Sequence, residues 1–158
     1  MKSELLEAGL AVQNRNGGLY DKFRNRLILP VIDVRGDVVG FGSRVLDKSE
    51  PKYMNTPETL TYSKRRVLYG LNLAKKTKRP NIILCEGNLD VVTLHQAGFD
   101  NAVASMGTAL TVEQTRLLSR YTKELVLCYD NDNAGQQATR RALELLIDEK
   151  ELRASPVE

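Results

Sequence analysis

The amino-acid sequence predicts an α/β protein. A parallel sheet with flanking helices occupies the second half, preceded by part of a mixed α+β subdomain rich in basic residues. Three observations carry this reading. Residues 81–85 and 125–129 are short, nearly continuous apolar runs, the pattern of strands buried on both faces of a parallel sheet. Segments with helical apolar spacing separate and follow them. The charge is also divided, with 16 Lys and Arg against 8 Asp and Glu in residues 1–80, but 7 against 12 in residues 81–158.

In chain order, the first signal is a hairpin. Arg26 to Asp33 and Val38 to Gly42 are apolar-rich runs on either side of Val34-Arg35-Gly36-Asp37, whose Gly and Asp are turn residues, so Arg-Gly-Asp reads as a turn. Pro51 and Pro57 bracket Lys52-Tyr53-Met54-Asn55-Thr56, predicted as an extended, ordered loop because the residue before proline avoids the α region. A short helix is expected over Leu68 to Ala74. The basic stretch Lys75-Lys76-Thr77-Lys78-Arg79-Pro80 then marks a subdomain boundary. Beyond it come a strand (81–85), a helix (89–97), a weaker strand (101–104), a helix (112–121), a strand (125–129) and a last helix. In that last helix Ala138, Ala142, Leu145 and Leu146 share one face. Thr111, followed three residues later by Gln114, is a capping box for the second of these helices. The expected division is residues 1–79, residues 80–152 and a tail over 153–158.

Composition narrows the function. With 42% hydrophobic and 27% charged residues the chain is an ordinary globular protein. Its longest apolar runs are too short to span a bilayer, and acids occupy the N-terminus where a secretory signal needs an apolar stretch, so a cytoplasmic protein without membrane partners is expected. Cys85 and Cys128 sit singly in apolar runs and read as packing; no paired spacing suits zinc. A single histidine, His95, argues against zinc-hydrolase and His-triad chemistry.

The acidic residues are placed where such sheets bind ligands, outside the carboxyl ends of the strands. Glu86-Gly87 follows the first strand, Asp90 lies in the first turn of the next helix, and Asp130-Asn131-Asp132 ends the third strand. Gly87 is expected to let the backbone turn sharply. Four carboxylates from strands that can be neighbours call for a cation, and all-oxygen donors suit Mg²⁺ or Mn²⁺. Each acid also has a structural alternative: Asp90 complements a helix dipole, and Asp132 or Asn133 is a candidate N-cap.

Glu86-Gly87-Asn88-Leu89-Asp90 and Asp130-Asn131-Asp132-Asn133-Ala134-Gly135 resemble the Glu-Gly-x-x-Asp and Asp-x-Asp-x-Ala-Gly signatures of toprim domains. Upstream, residues 20–31, 40–44 and 51–59 resemble motifs of DnaG-type bacterial primases. Leu68-Tyr69-Gly70-Leu71 and residues 103–111 continue the likeness, which runs from about Ala8 through Leu146. Asn88, Leu89, Asn131, Asn133 and Ser43 depart from the family's usual residues, and none of these removes a carboxylate.

The resemblance implies a toprim fold over residues 80–152 and template-directed synthesis of short RNA primers on single-stranded DNA from ribonucleoside triphosphates. Glu86, Asp130 and Asp132 are the implied catalytic residues, with Asp90 joining them as ligands of Mg²⁺ or Mn²⁺. Glu86 is alternatively a general base. Arg24, Arg26, Arg44, Lys52 and Lys64 are expected on template or nucleotide phosphates, although Arg24 and Arg26 can equally brace the hairpin. Tyr53 is a candidate for base stacking or for packing. The family further carries an N-terminal zinc-binding domain, the one place zinc is expected, a C-terminal domain that binds the replicative helicase, and an acidic segment beyond the last helix here. The chain therefore resembles an excised part of a longer enzyme. Two rival readings share these features: another toprim enzyme that cleaves DNA as a topoisomerase or nuclease does, and an inert DNA-binding module.

Overall fold

The computed structural model describes residues 2–149 and 152–157, so Met1, Lys150, Glu151 and Glu158 lie outside the described residues. Contacts divide the chain into two units, Met1–Val31 with Val38–Ser63, and Ile32–Asp37 with Lys64–Glu158. This division falls earlier than the basic linker at 75–80.

The first unit opens with α1 (Lys2–Glu7) and the antiparallel pair β1 (Ala11–Gln13) and β2 (Leu19–Asp21). A three-stranded sheet follows in the order β3 (Arg26–Ile32), β4 (Val38–Val45), β5 (Tyr53–Asn55). The turn after β3, whose residues Ile32–Asp37 belong to the second unit, forms as the sequence predicts. Asp33 Oδ1 accepts from the backbone N–H groups of Arg35, Gly36 and Asp37 at 2.8, 3.0 and 3.1 Å, and Gly36 takes φ +105°. An Asp here satisfies turn amides that no strand partner reaches. The segment between the prolines is a true strand, paired antiparallel to β4 with Ser43 opposite Met54. Tyr62, Val31 and Val45 are buried in this unit, and Gly40 admits the Tyr62 ring, since a Cβ there would lie 3.0 Å from its Cδ2.

The second unit contains β6 (Leu68–Tyr69), α2 (Leu71–Ala74), β7 (Ile82–Cys85), α3 (Asn88–Gln96), β8 (Ala102–Ser105), α4 (Val112–Leu118), β9 (Glu124–Cys128), α5 (Asn133–Glu149) and β10 (Arg153–Pro156). One five-stranded sheet joins them in the order β10-β9-β7-β8-β6. The three strands expected from apolar runs are its parallel centre, β7 pairing with both β8 and β9.

Two expectations are corrected at the sheet's edges. Leu68-Tyr69, assigned to a helix, is a strand antiparallel to β8, with Leu68 opposite Ser105; the helix begins only after Gly70, whose φ is +81°. A two-residue strand has no periodicity of its own and exists because β8 offers unpaired backbone groups. Residues 153–156, expected within a tail, form β10 parallel to β9 from Arg153 opposite Glu124 to Pro156 opposite Leu127. Pro156 is tolerated because β10 is an edge strand.

Strand alternation sends Ile82, Leu84, Leu125 and Leu127 to one face, where they pack with Leu71, Leu118, Ala142 and Leu146 of α2, α4 and α5. The opposite face buries Cys85, Ala102 and Ala104 with Val91 of α3. Helices therefore cover both faces, as near-continuous apolar strands require. No described helix is long and apolar enough to cross a membrane.

Candidate functional site

β7 and β9 are adjacent and parallel, with Cys85 opposite Cys128, yet the helices that follow them lie on opposite faces of the sheet: α3 after β7, α5 after β9. Such a switch point opens a crevice at the carboxyl ends of the two strands. Glu86 and Asp130 stand at that crevice, both exposed. Glu86 Oε2 lies 3.4 Å from the backbone nitrogen of Asp130.

The other two acids are nearby in sequence but are occupied. Asp90 Oδ2 accepts from the backbone N–H of Gly87 at 2.9 Å, at the N-terminus of α3. Asp132 Oδ1 accepts from the backbone N–H of Gly135 at 2.8 Å, capping α5. Asp132 takes the N-cap role the sequence allowed, Asp90 completes a capping box with Gly87, and each leaves one carboxylate oxygen uncommitted by its cap. Among the described residues no group of three or more His, Cys, Asp or Glu is gathered closely enough to hold an ion jointly. In the ion-free chain Glu86 approaches the Asp130 amide, while Asp90 and Asp132 each cap the helix that follows their strand. The donor set still suits Mg²⁺ or Mn²⁺. These hard cations take oxygen ligands, and Mg²⁺ keeps much of its water and commonly uses one or two carboxylates together with substrate phosphates.

Gly87 corrects a second expectation. Its backbone is extended, φ −121° and ψ 157°, so no left-handed turn requires glycine. The missing side chain matters instead: a Cβ there would stand 3.0 Å from Asp90 Oδ2, the oxygen that Gly87 itself binds.

Three neighbours were given no role at the site by the sequence reading. Gly135 rests on the Asp130 backbone, where an added Cβ would overlap the Asp130 carbonyl oxygen and reach its carbon and nitrogen at 2.8 and 3.0 Å. The small residue in Ala134-Gly135 was the available signal. Tyr129, half-buried directly after β9, has its phenol pushed well above the usual range by burial and then by the charge of Glu86. Cys85 is fully buried, and burial, then Cys128 and Asp90, push its thiol from 9.0 up to about 12.

The basic residues occupy both units. In the first, Lys52 Nζ and the Arg44 guanidinium lie 5.5 and 6.0 Å from the Tyr53 ring centroid, cation–π distances. Tyr53 itself is 55% exposed, more open than a packing role requires. The Arg24 guanidinium covers the Tyr20 ring at 5.0 Å. Arg26 braces the first unit, donating from Nη2 to the Pro51 carbonyl at 2.8 Å. Lys64 is half-buried in the second unit.

Comparison with known proteins divides the chain at the basic stretch 75–80 rather than at the contact boundary before Lys64. Residues 1–75 match the family described as DNA primase catalytic core, N-terminal domain, and residues 83–157 match the family described as Toprim-like. A DNA primase of Clostridium acetobutylicum is 54% identical over 144 residues, covering 90% of this chain and 24% of that protein. A solved structure titled as the DnaG primase catalytic domain bound to ssDNA superposes with a TM-score of 0.91 at 40% identity, over 99% of this chain and 50% of that one. The Aquifex aeolicus primase, solved with zinc-binding and RNA polymerase domains, gives 0.91 at 36% identity over 99% and 39%. The chain spans about a quarter of the length of the curated relatives it matches.

Proposed function

From the premise that this chain belongs to the DNA primase catalytic-core family, with the family's N-terminal core domain followed by a Toprim-like domain, we propose that it serves template-directed synthesis of RNA primers on single-stranded DNA. The single observation that carries the proposal is the approach of Glu86 to Asp130 at the switch point of β7 and β9. The match over residues 1–75 favours primer synthesis over DNA cleavage by another toprim enzyme, and the retained acids argue against an inert module.

The reaction joins a ribonucleotide 3′-hydroxyl to the α-phosphorus of an incoming nucleoside triphosphate and releases pyrophosphate. A divalent cation, when bound, neutralises the charge that grows on the phosphate and orients the attacking and leaving oxygens. Glu86 and Asp130 would hold it; Asp90 and Asp132, each capping a helix in the ion-free chain, would join through their second oxygens only once a bound ion draws them in. With one oxygen directed at the Asp130 amide, Glu86 keeps a second for the cation or for the proton of the attacking hydroxyl. Arg24, Arg44, Lys52 and Lys64 are assigned to phosphates of template or nucleotide, contacts that are sequence-blind and salt-sensitive. Arg26 takes the bracing role. Tyr53, exposed beside two cations, is assigned to stacking on a base. Zinc binding and helicase binding belong to other parts of a longer protein, and its compartment is the cytoplasm. The family matches, which end at residue 75 and resume at residue 83, support a subdomain boundary at residues 79 and 80.

Primer synthesis by the full-length parent protein on single-stranded template, wild type against Asp130→Asn, tests the proposal. Loss of labelled primer with retained template binding is the expected result. Undiminished synthesis by a folded Asp130→Asn enzyme overturns it.

A further inference from the structure

The capping box of α4 does more than cap. Gln114 is fully buried, and its amide is satisfied on both sides. Oε1 accepts from the backbone N–H of Thr111 at 3.1 Å, while Nε2 donates to the carbonyls of Lys64 at 3.0 Å and Val67 at 2.9 Å. Thr111 Oγ1, which accepts from the Gln114 backbone N–H at 3.1 Å, donates onward to the Arg65 carbonyl at 2.6 Å. Two side chains of one helix turn thus fix three carbonyls within a four-residue stretch. That stretch holds three consecutive cations, Lys64, Arg65 and Arg66, with Arg65 and Arg66 exposed. Arg65 also reaches Glu113 of the same turn, Nη2 to Oε1 at 3.8 Å.

We propose that Gln114 and Thr111 are positioning residues for nucleic-acid binding: they set the backbone of Lys64-Arg65-Arg66 so that this basic segment meets the phosphates of single-stranded DNA already ordered. The inference rests on the assignment of Lys64 to phosphates made above. A capping box needs only Thr111 Oγ1, Gln114 Oε1 and two backbone amides. The three bonds to residues 64, 65 and 67 are surplus to that task, and they go to the basic segment and to Val67 directly after it. A segment of long, rotamer-rich cations loses backbone freedom when it binds, and freedom already surrendered in the folded chain is not lost again on binding. Gln114 suits this role because an amide offers two donors and an acceptor on one planar group, and all three are used.

The test is binding of fluorescein-labelled oligothymidylate to the full chain across a salt series, for wild type, Lys64→Ala, Gln114→Met, Thr111→Val and the double variant of Gln114→Met with Lys64→Ala. Backbone amide NMR spectra confirm that each is folded. Lys64→Ala should lower the log–log salt slope by about one unit, as one lost phosphate contact does. Gln114→Met and Thr111→Val should weaken binding and lower the slope in the same direction, and the double variant should bind no more weakly than the weaker of its parents. A purely structural role would lower the melting temperature and leave the slope untouched. Unchanged slopes in folded Gln114→Met and Thr111→Val, beside a lowered slope in Lys64→Ala, overturn the inference alone. Fully additive losses in the double variant do so as well. An unchanged slope in Lys64→Ala removes the phosphate assignment and the inference with it. Should Gln114→Met fail to fold, Thr111→Val, which spares the buried amide, decides.

Discussion

Glu86 Oε2 and the backbone nitrogen of Asp130 stand 3.4 Å apart although the two residues are 44 positions apart in sequence. They meet because Cys85 and Cys128, at the ends of neighbouring parallel strands, share a register position. A cation drawn to this pair should be felt first by the amides around it. In a titration with Mn²⁺, paramagnetic broadening is expected at Gly87, Asp130 and Asn131 before other residues, and Glu86→Gln should abolish that order. Broadening centred on Asp148 and Glu149 of α5 would instead mean that the ion prefers an ordinary acidic surface.

Gly135→Ala should disturb the same site from beneath. Alanine normally favours a helix over glycine by about 1 kcal/mol, but here its Cβ would occupy the place of the Asp130 carbonyl oxygen. Overpacking against backbone has no flexible neighbour to yield, and such insertions cost about 1–3 kcal/mol. Thermal melting should show net destabilisation, and the Asp130 amide should shift in the NMR spectrum. A variant as stable as wild type with an unmoved Asp130 resonance would refute the contact.

Stability should fall on the alkaline side. Burial above all pushes the Cys85 thiol from its ordinary 9.0 up to about 12. A raised pKa stabilises the fold fully below pH 9.0. The contribution is then lost as the pH rises, because the unfolded chain releases a proton that the folded chain retains. Burial also raises the phenols of Tyr62 and Tyr129 above 10.0, which steepens the loss beyond that pH. Urea midpoints measured on either side of pH 9.0 should decline, and Cys85→Ala should flatten the first part of the decline. Cys85 should also resist iodoacetamide until the chain is unfolded.

The two kinds of charge should separate in a complete parent enzyme. Asp130→Asn is expected to remove nearly all primer synthesis while single-stranded DNA binds as well as before or slightly better, since a repulsive charge is gone. Lys52→Ala should weaken binding and reduce its salt slope by about one unit. Equal losses of DNA affinity in both variants would place the acids in the binding surface or in fold stability. Melting curves for each variant distinguish catalytic loss from unfolding.

Much of this was legible in the sequence because it is local. The apolar runs at 81–85 and 125–129 announced β7 and β9, helical spacing announced α5, and Thr111 with Gln114 announced the start of α4; each depends on neighbours a few residues away. Glu86 and Asp130 were placed at strand ends by the same means. The rest was decided by pairing across long separations. Leu68-Tyr69 and Arg153–Pro156 are strands only because β8 and β9 have open backbone edges, and nothing in Arg-Ala-Ser-Pro favours a strand by itself. The strand order β9-β7-β8 brought Glu86 to Asp130, whereas the caps of α3 and α5 drew Asp90 and Asp132 to backbone amides. Gln114 shows the same limit within one residue: its cap is written three positions away, but its bonds to Lys64 and Val67 exist only once the sheet has carried α4 to that segment. Periodicity fixes which face a residue presents; which neighbour that face meets is settled by burying the two faces of the sheet together with every backbone group they carry.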